Sequence, residues 1–323
     1  MRLSPPDFAR LQSRVSEDPQ ARVNARRTLR SAGIPRSPDG IQRAIQVEGL
    51  FPVGGPTRAN YRRPTSLALL GSTLLLEVAP ITIAEPLARN GGFLGSPFAR
   101  VRHTYRSGAE RVWGDWERVF HDAALLRRVH ERIGGAAIEV AENRWVWAAM
   151  ARSLLLNNAL FMGADAQCPD ALYTEFTRVA GLVGLTSDQL PKDAASFERF
   201  IDHAASWVRL SSDSVALAEA ILSVLADVVE EQLGSRPPGL EDQLRTITAG
   251  ALPKWLLRAY NARLSEPLPT VGPEQLAMEC RAFDRFIGAQ ESKAALSARQ
   301  RIAEAFPPAI QAHFVGAHWA MSV

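Results

Sequence analysis

The segment NRWVWAAMARSLLLNNALFM, residues 143–162, constrains the fold most because it is apolar on nearly every side. A helix on the surface of a protein carries its apolar residues in one stripe. A helix that is apolar all round must instead be surrounded by other elements. The segment therefore predicts a central helix, buried in a core that several other segments build around it.

The rest of the chain after residue 65 repeats the spacing of helices and shows little of the alternation that is typical of strands. Apolar residues recur at intervals of three and four, and β-branched runs are short. One such segment, SDSVALAEAILSVLADVVEEQLG, closes on Gly234 as a helix C-cap does. We therefore predict an all-α fold, a single large domain of about ten or more helices.

The N-terminal region differs in composition from the rest of the chain. Residues 1–45 are polar and rich in arginine, with two helix-like pieces, the second of which stops at Gly33 and Pro35. We predict an N-terminal helical extension over 1–45 and the helical domain over 46–323. Packing on the core, capping of a pocket and dimerisation all remain open as roles for the extension.

Charge and cysteine content argue against several classes of protein. The 37 basic and 34 acidic residues give a net charge of +3, so nucleic-acid binding is not expected. The short basic clusters RVNARRTLR and ANYRRPT keep an acidic partner as an alternative. Cys168 and Cys280 lie far apart, which predicts two reduced thiols and a cytoplasmic protein.

The longest apolar stretch, SLALLGSTLLLEVAPITIA, does not have the pattern of a membrane span. It is interrupted by Gly71, Glu77 and Pro80, whereas a spanning helix needs about 20 mostly apolar residues. We read it as a buried helix that ends near Pro80, and we predict no transmembrane segment.

Common catalytic motifs are missing from the sequence. It contains no His-Glu-x-x-His, no Walker loop, no GxGxxG and no G-x-S-x-G elbow. No pair of its six histidines has the three- or four-residue spacing of metal ligands on one helix. Zincin, P-loop and serine-hydrolase chemistry are therefore not expected.

Two clusters of arginine and histidine remain as candidates for a site. In RVRHTY, Arg100, His103 and Thr104 share one face if residues 98–108 are helical. Arg127 and His130 repeat the arrangement, because each arginine stands one helical turn before its histidine. The first cluster also fits a simpler explanation, in which it is the solvated start of a helix.

His130 lies in a stripe of apolar residues, so its ring is expected to point inward. The segment SGAERVWGDWERVFHDAALLRRVHERIGG places it in line with Val119 and Leu126, and Ser107 with Glu110 predicts the start of this helix by a capping box. An inward imidazole can bind the iron of a haem, whose propionates would pair with the nearby arginines. A core histidine held by a hydrogen bond satisfies the same pattern.

Four segments in order resemble the haem-dependent oxygenase family that includes the latex-clearing rubber oxygenases and the MpaB-type proteins. They are EVAPITIAEPLARNGGF, RVRHTY with the family's Arg-x-x-x-Thr motif, LLRRVHERIGG with its His-x-x-Val/Ile-x-Gly motif, and GALPKWLLRAY with its Leu-Pro-x-Trp element. The resemblance is strongest over residues 66–262. It implies an all-α domain that encloses a haem b pocket, in an oxygenase or other oxidoreductase that takes O₂ and a small hydrophobic organic substrate.

The resemblance also implies roles for individual residues. His130 matches the proximal iron ligand, and Arg100, Thr104 and Arg127 match residues that would contact the haem. His103 stands where the rubber oxygenases have a lysine as the opposite ligand. It can therefore bind the iron or stand off as a distal acid/base, with Thr104 beside it.

The sequence departs from the family at two places near the expected pocket. Many members carry a further histidine in a run similar to WVWAAM, where this chain has Trp147, and IEVAENR replaces a Tyr-x-Ala-x-Asp-Pro-like stretch. These differences keep a non-catalytic haem- or lipid-binding protein as the alternative. We expect Trp113, Trp116, Trp145 and Trp147 to pack in the core, and a substrate pocket to lie near His103 and Trp147. Oligomeric state stays open, a homodimer included.

Overall fold

A computed structural model describes residues 49–52, 54–61, 64–90, 92–113, 119, 122–123 and 140–305. For residues 109, 110, 113 and 291–305 it describes the backbone alone. The N-terminal extension over 1–45 and two of the candidate site residues, Arg127 and His130, lie outside the described residues.

The described residues form helices and no β-strand, which confirms the all-α prediction. The α-helices, numbered here in chain order, are α1 (Pro56–Asn60), α2 (Leu70–Glu77), α3 (Ile81–Asn90), α4 (Pro97–Trp113), α5 (Val140–Phe161), α6 (Pro169–Leu182), α7 (Ala194–His203), α8 (Ser212–Leu233), α9 (Leu240–Ala251), α10 (Lys254–Asn261) and α11 (Pro273–Ala305). A 3₁₀ helix over Pro64–Leu69 leads directly into α2.

Helix α5 is the central element that the apolar run predicted. It packs against α2, α6 and the 3₁₀ helix, and weaker contacts join it to α1 and α11. Trp145 and Trp147 are fully enclosed, as are Ala148 and Asn157. The Asn157 amide accepts from the Thr65 hydroxyl at 2.9 Å and donates to the backbone carbonyl of Asn60 at 3.0 Å, so this buried polar group is satisfied.

Helix α2 ends where the sequence predicted, and side chains from distant helices hold its last turn. The final carbonyls of a helix lack partners within the helix. Tyr260 of α10 donates its hydroxyl to the Leu75 carbonyl at 2.8 Å, and the Trp145 indole N–H of α5 donates to the Leu76 carbonyl at 2.7 Å. The last turn of α2, which carries Glu77, is therefore fixed from two sides.

The first turn of α2 lies so close to its neighbours that only glycine fits at position 71. A Cβ at Gly71 would stand 2.3 Å from the Thr248 hydroxyl of α9 and 2.8 Å from a Leu225 methyl of α8. The glycine predicted to interrupt a membrane span thus serves as the contact point of three packed helices.

The start of α4 was predicted wrongly. The helix begins at Pro97, so Ser107 lies in its interior and is not an N-cap. Proline is favoured in the first turn of a helix because its missing N–H has no partner there. The Ser107 hydroxyl instead bonds the Asp122 carboxylate, as described below.

Two further predictions concern the membrane and the cysteines. Among the described residues, no single helix has the length and apolarity of a membrane span. One pair, Pro64–Glu77 with Ile81–Asn90, meets those criteria jointly with a bend of 101°. Cys168 is exposed and Cys280 is buried, and neither forms a disulfide.

Candidate functional site

The three candidate residues of RVRHTY share one face of α4, as their spacing predicted. His103 and Thr104 are exposed and Arg100 is partly exposed, whereas the intervening Val101 is fully buried. The Thr104 hydroxyl donates to the Arg100 carbonyl at 3.0 Å, which leaves its oxygen lone pairs free to accept. The His103 imidazole is accessible to a ligand on this face.

The opposite side of α4 is fixed to the protein, so the exposed face has a defined direction. Helix α4 packs along α8. Arg102 and Arg106, one turn apart, both reach Glu231 of α8, at 3.3 Å and 3.2 Å. Tyr105 points inward and bonds Ser66, and burial raises the pKa of its phenol to about 12.

The exposed face of α4 continues into a buried polar cluster that sequence reasoning missed. Ser107 and Arg111 follow Arg100 and Thr104 at intervals of three and four, so all four belong to one stripe of the helix. We call Ser107, Arg111 and Asp122 the Asp122 cluster. A capping-box reading of Ser107 concealed it, because the partner of Ser107 comes fifteen residues later.

The Asp122 cluster is closely bonded. The Ser107 hydroxyl lies 2.8 Å and 2.9 Å from the two Asp122 oxygens, and Arg111 Nε donates to Oδ2 at 3.0 Å. Arg111 Nη2 also donates to Ser107 Oγ at 2.9 Å, and Nη1 lies 3.6 Å from the Met150 sulfur. The Arg111 and Asp122 side chains are only 10% and 15% exposed, so water screens this ion pair little.

Glu77, at the end of α2, is a second carboxyl near the same arginine. The residue keeps some solvent exposure, but burial of its carboxyl raises the pKa to about 8, and the Arg111 guanidinium lowers it only in part. A position at the C-terminal end of a helix also disfavours a negative charge. The Glu77 carboxyl is therefore mostly protonated at neutral pH, while Arg111 is bonded to Asp122.

The segment after α4 is described at three positions, and they agree with the predicted stripe. Val119, Asp122 and Ala123 have helical backbone and share a face at intervals of three and four. Val119 and Ala123 are buried, at 0% and 3% exposure. This confirms the inward direction of the first part of the stripe on which His130 was placed; the site assignments of His130 and Arg127 remain predictions.

The predicted packing of the tryptophans is confirmed for the two in α5. Trp147 is fully buried and meets Tyr173 and Phe197 edge-on, with ring centroids 5.9 Å and 6.0 Å apart. The Trp147 ring itself is enclosed, and the substrate pocket expected near His103 and Trp147 stays a prediction. The indole N–H of Trp147 has no hydrogen-bond partner among the described residues. The Trp113 side chain and Trp116 lie outside them.

The side chains on the exposed face of α4 are of the kinds that bind a haem. An iron porphyrin needs one or two axial donors, such as imidazoles, and cations for its propionates. The face offers the accessible His103 imidazole beside Arg100. A metal held only by protein side chains needs several ligands together, and the described residues contain no group of three or more histidines, cysteines or carboxylates suited to this.

Comparison with known proteins gives one family. Residues 58–289 match the model of the ER-bound oxygenase mpaB/B'/Rubber oxygenase, catalytic domain. The chain belongs to this family. The match contains the segment 66–262 over which the resemblance was strongest, so the predicted family is confirmed. No curated protein and no solved structure matches the chain.

The end of α2 lies close to the helices that carry the second and fourth of the four segments with the family resemblance. The first segment begins at Glu77, two residues after Leu75, whose carbonyl accepts a hydrogen bond from the Tyr260 hydroxyl of the fourth segment. The second segment lies in α4 and contributes Arg100, His103 and Thr104 to its exposed face, and Arg111, further along that helix, approaches Glu77. The third segment, LLRRVHERIGG, lies outside the described residues.

Proposed function

We propose that this member of the oxygenase family is a haem b-dependent oxygenase that acts on a small hydrophobic organic substrate, with His130 as the proximal iron ligand. Membership of the catalytic-domain family supports the oxygenase role. The observation that carries the haem proposal is the accessible imidazole of His103, flanked by Arg100 and Thr104 on one face of α4.

Each residue of the proposed site has a role that follows from its chemistry. A bound haem would supply an iron centre that activates dioxygen. His130 would hold the iron, and Arg100 and Arg127 would pair with the propionate carboxylates. Thr104 would accept a hydrogen bond through the lone pairs that its bond to the Arg100 carbonyl leaves open.

His103 can have either of two roles, and the absorption spectrum distinguishes them. As a second iron ligand, His103 would help to hold the haem. Standing off the iron, its ring nitrogens would hold or pass on a proton near the reacting molecule. Its exposure on α4 supports access to a group bound on that face in either case.

The test is the absorption spectrum of protein produced with added haem precursor. We expect a Soret band in the wild-type protein and its loss in His130→Ala. His203→Ala is the matched control, because His203 is an exposed histidine at the end of α7. Absence of the band from the wild-type protein, or an unchanged band in His130→Ala, would remove the haem proposal.

Catalysis is tested separately by oxygen uptake with a panel of hydrophobic organic compounds. An oxygenase consumes dioxygen only when its substrate is present. A six-coordinate spectrum that does not change with carbon monoxide after reduction, together with no oxygen uptake, would favour the alternative of a non-catalytic haem-binding protein. A spectrum that becomes five-coordinate in His103→Ala would assign His103 as the second ligand.

A further inference from the structure

The carboxylate of Asp122 is hydrogen-bonded to two residues of α4, Ser107 and Arg111. It receives the Ser107 hydroxyl on both oxygens and Arg111 Nε on one, all at 3.0 Å or less. We propose that Asp122 is a positioning residue, which sets the segment leading to His130 at a fixed register on α4. The part played by His130 rests on the proposed function, whereas the docking itself rests on described residues alone.

The hydrogen bonds from Ser107 and Arg111 to Asp122 come from the stripe of α4 that carries the candidate site. Ser107 and Arg111 lie in line with Arg100 and Thr104, one and two turns further along the same face. A segment anchored at Ser107 and Arg111 is therefore placed relative to Arg100 and Thr104 by the rigidity of a single helix.

The described residues of the segment after α4 lie on one side of it. Asp122 lies between Val119 and Ala123, both of which are buried, so polar and apolar contacts fall on one side. The intervals of four, three and four from Val119 through Ala123 and Leu126 lead to His130. On the stripe predicted from the sequence, the face that Asp122 docks is the face that also carries His130.

Apolar contacts alone would not fix this register. Small apolar residues such as Val119 and Ala123 can slip by a helical turn at little cost, because such contacts are not directional. A shielded carboxylate bonded to both a guanidinium and a hydroxyl has one geometry that satisfies all its partners. Buried polar pairs are known to select register in packed helices.

Hydrogen–deuterium exchange measured by mass spectrometry on the full chain without haem tests the docking. Asp122→Asn keeps the shape of the side chain and removes its charge. We expect exchange in peptides covering 119–135 to become about tenfold faster, with peptides of α8 and α9 unchanged. Ser107→Ala, which removes one donor, should give a smaller increase, and Arg111→Gln should add little to Asp122→Asn because both break the same bond.

The matched control is Asp227→Asn, which breaks the surface pair with Arg236 at 2.7 Å. It should leave exchange over 119–135 unchanged. Wild-type-like exchange in Asp122→Asn, or a wild-type segment that already exchanges at the rate of an unfolded peptide, would overturn the docking.

The positioning of His130 is read from the spectrum of the haem-loaded protein. Asp122→Asn should shift the Soret maximum or the balance of five- and six-coordinate iron, and Asp227→Asn should not. Faster exchange with an unchanged spectrum would show docking without positioning and would overturn the proposal. If the wild-type protein takes up no haem, the proposed function fails, while the exchange result still decides whether Asp122 docks the segment.

Discussion

Replacing Glu77 with glutamine should make the protein more stable, and by an amount that grows with pH. The Glu77 carboxyl has a pKa of about 8 in the folded protein against an ordinary value of 4.5. Between these two values the folded state holds the proton and the unfolded state has lost it, so rising pH favours unfolding. Stability linked to Glu77 is complete below pH 4.5 and is lost as the pH rises through 8.

The size of the effect follows from the two pKa values. One pKa unit corresponds to about 1.4 kcal/mol. Relative to a neutral side chain of the same shape, Glu77 lowers the free energy of unfolding by about 1 kcal/mol at pH 5, about 3 kcal/mol at pH 7 and about 5 kcal/mol at pH 9. These are upper values, because the residue keeps some contact with solvent. Glutamine is neutral throughout and should remove the whole pH-dependent part.

The assay is urea unfolding followed by tryptophan fluorescence at the three pH values. Glu230→Gln is the control, because Glu230 is 43% exposed and pairs with Arg236 on the surface of α8. Its effect should stay within about 0.5 kcal/mol at each pH. If the difference between Glu77→Gln and the wild-type protein is the same at pH 5 and pH 9, the Glu77 carboxyl is ionised in the folded state and the reasoning fails.

Three further substitutions, one of them with a matched control, test the packing that positions the site, each by urea unfolding. Tyr260→Phe removes one buried hydrogen bond to the last turn of α2 and should cost about 1–2 kcal/mol. Gly71→Ala should cost about 1–3 kcal/mol because the new methyl meets Thr248, whereas Gly108→Ala, with no atom within 4 Å of its Cβ, should be neutral or stabilising by up to about 1 kcal/mol. Asn157→Ala should cost about 2–4 kcal/mol, since it leaves buried partners without a hydrogen bond.

Helices whose signal is local could be predicted from the sequence. The all-round apolarity of α5 required a central position, and Gly234 ends α8 in the left-handed conformation, with φ of 72°, that glycine adopts most easily. The shared face of Arg100, His103 and Thr104 also follows from spacing alone. These features depend on residues within a few positions of one another, which is the range that periodicity reports.

The buried polar contacts could not be predicted in this way. Ser107 has a good local explanation as a helix cap, and only the folded chain shows that its hydroxyl faces Asp122 instead. Glu77 looked like an ordinary polar interruption of an apolar run, because its altered pKa comes from burial and from Arg111 on another helix. The Trp147 ring meets Tyr173 and Phe197 edge-on, and no local pattern connects these two residues to it.

The bond between Tyr260 and the Leu75 carbonyl joins residues 185 positions apart. During synthesis, the last turn of α2 leaves the ribosome long before its partner has been made. Helix α2 therefore cannot form this hydrogen bond until most of the polypeptide has been made. Until then its apolar surface is available to a chaperone. We expect truncated products that end before α10 to aggregate or be degraded instead of accumulating as a smaller folded unit.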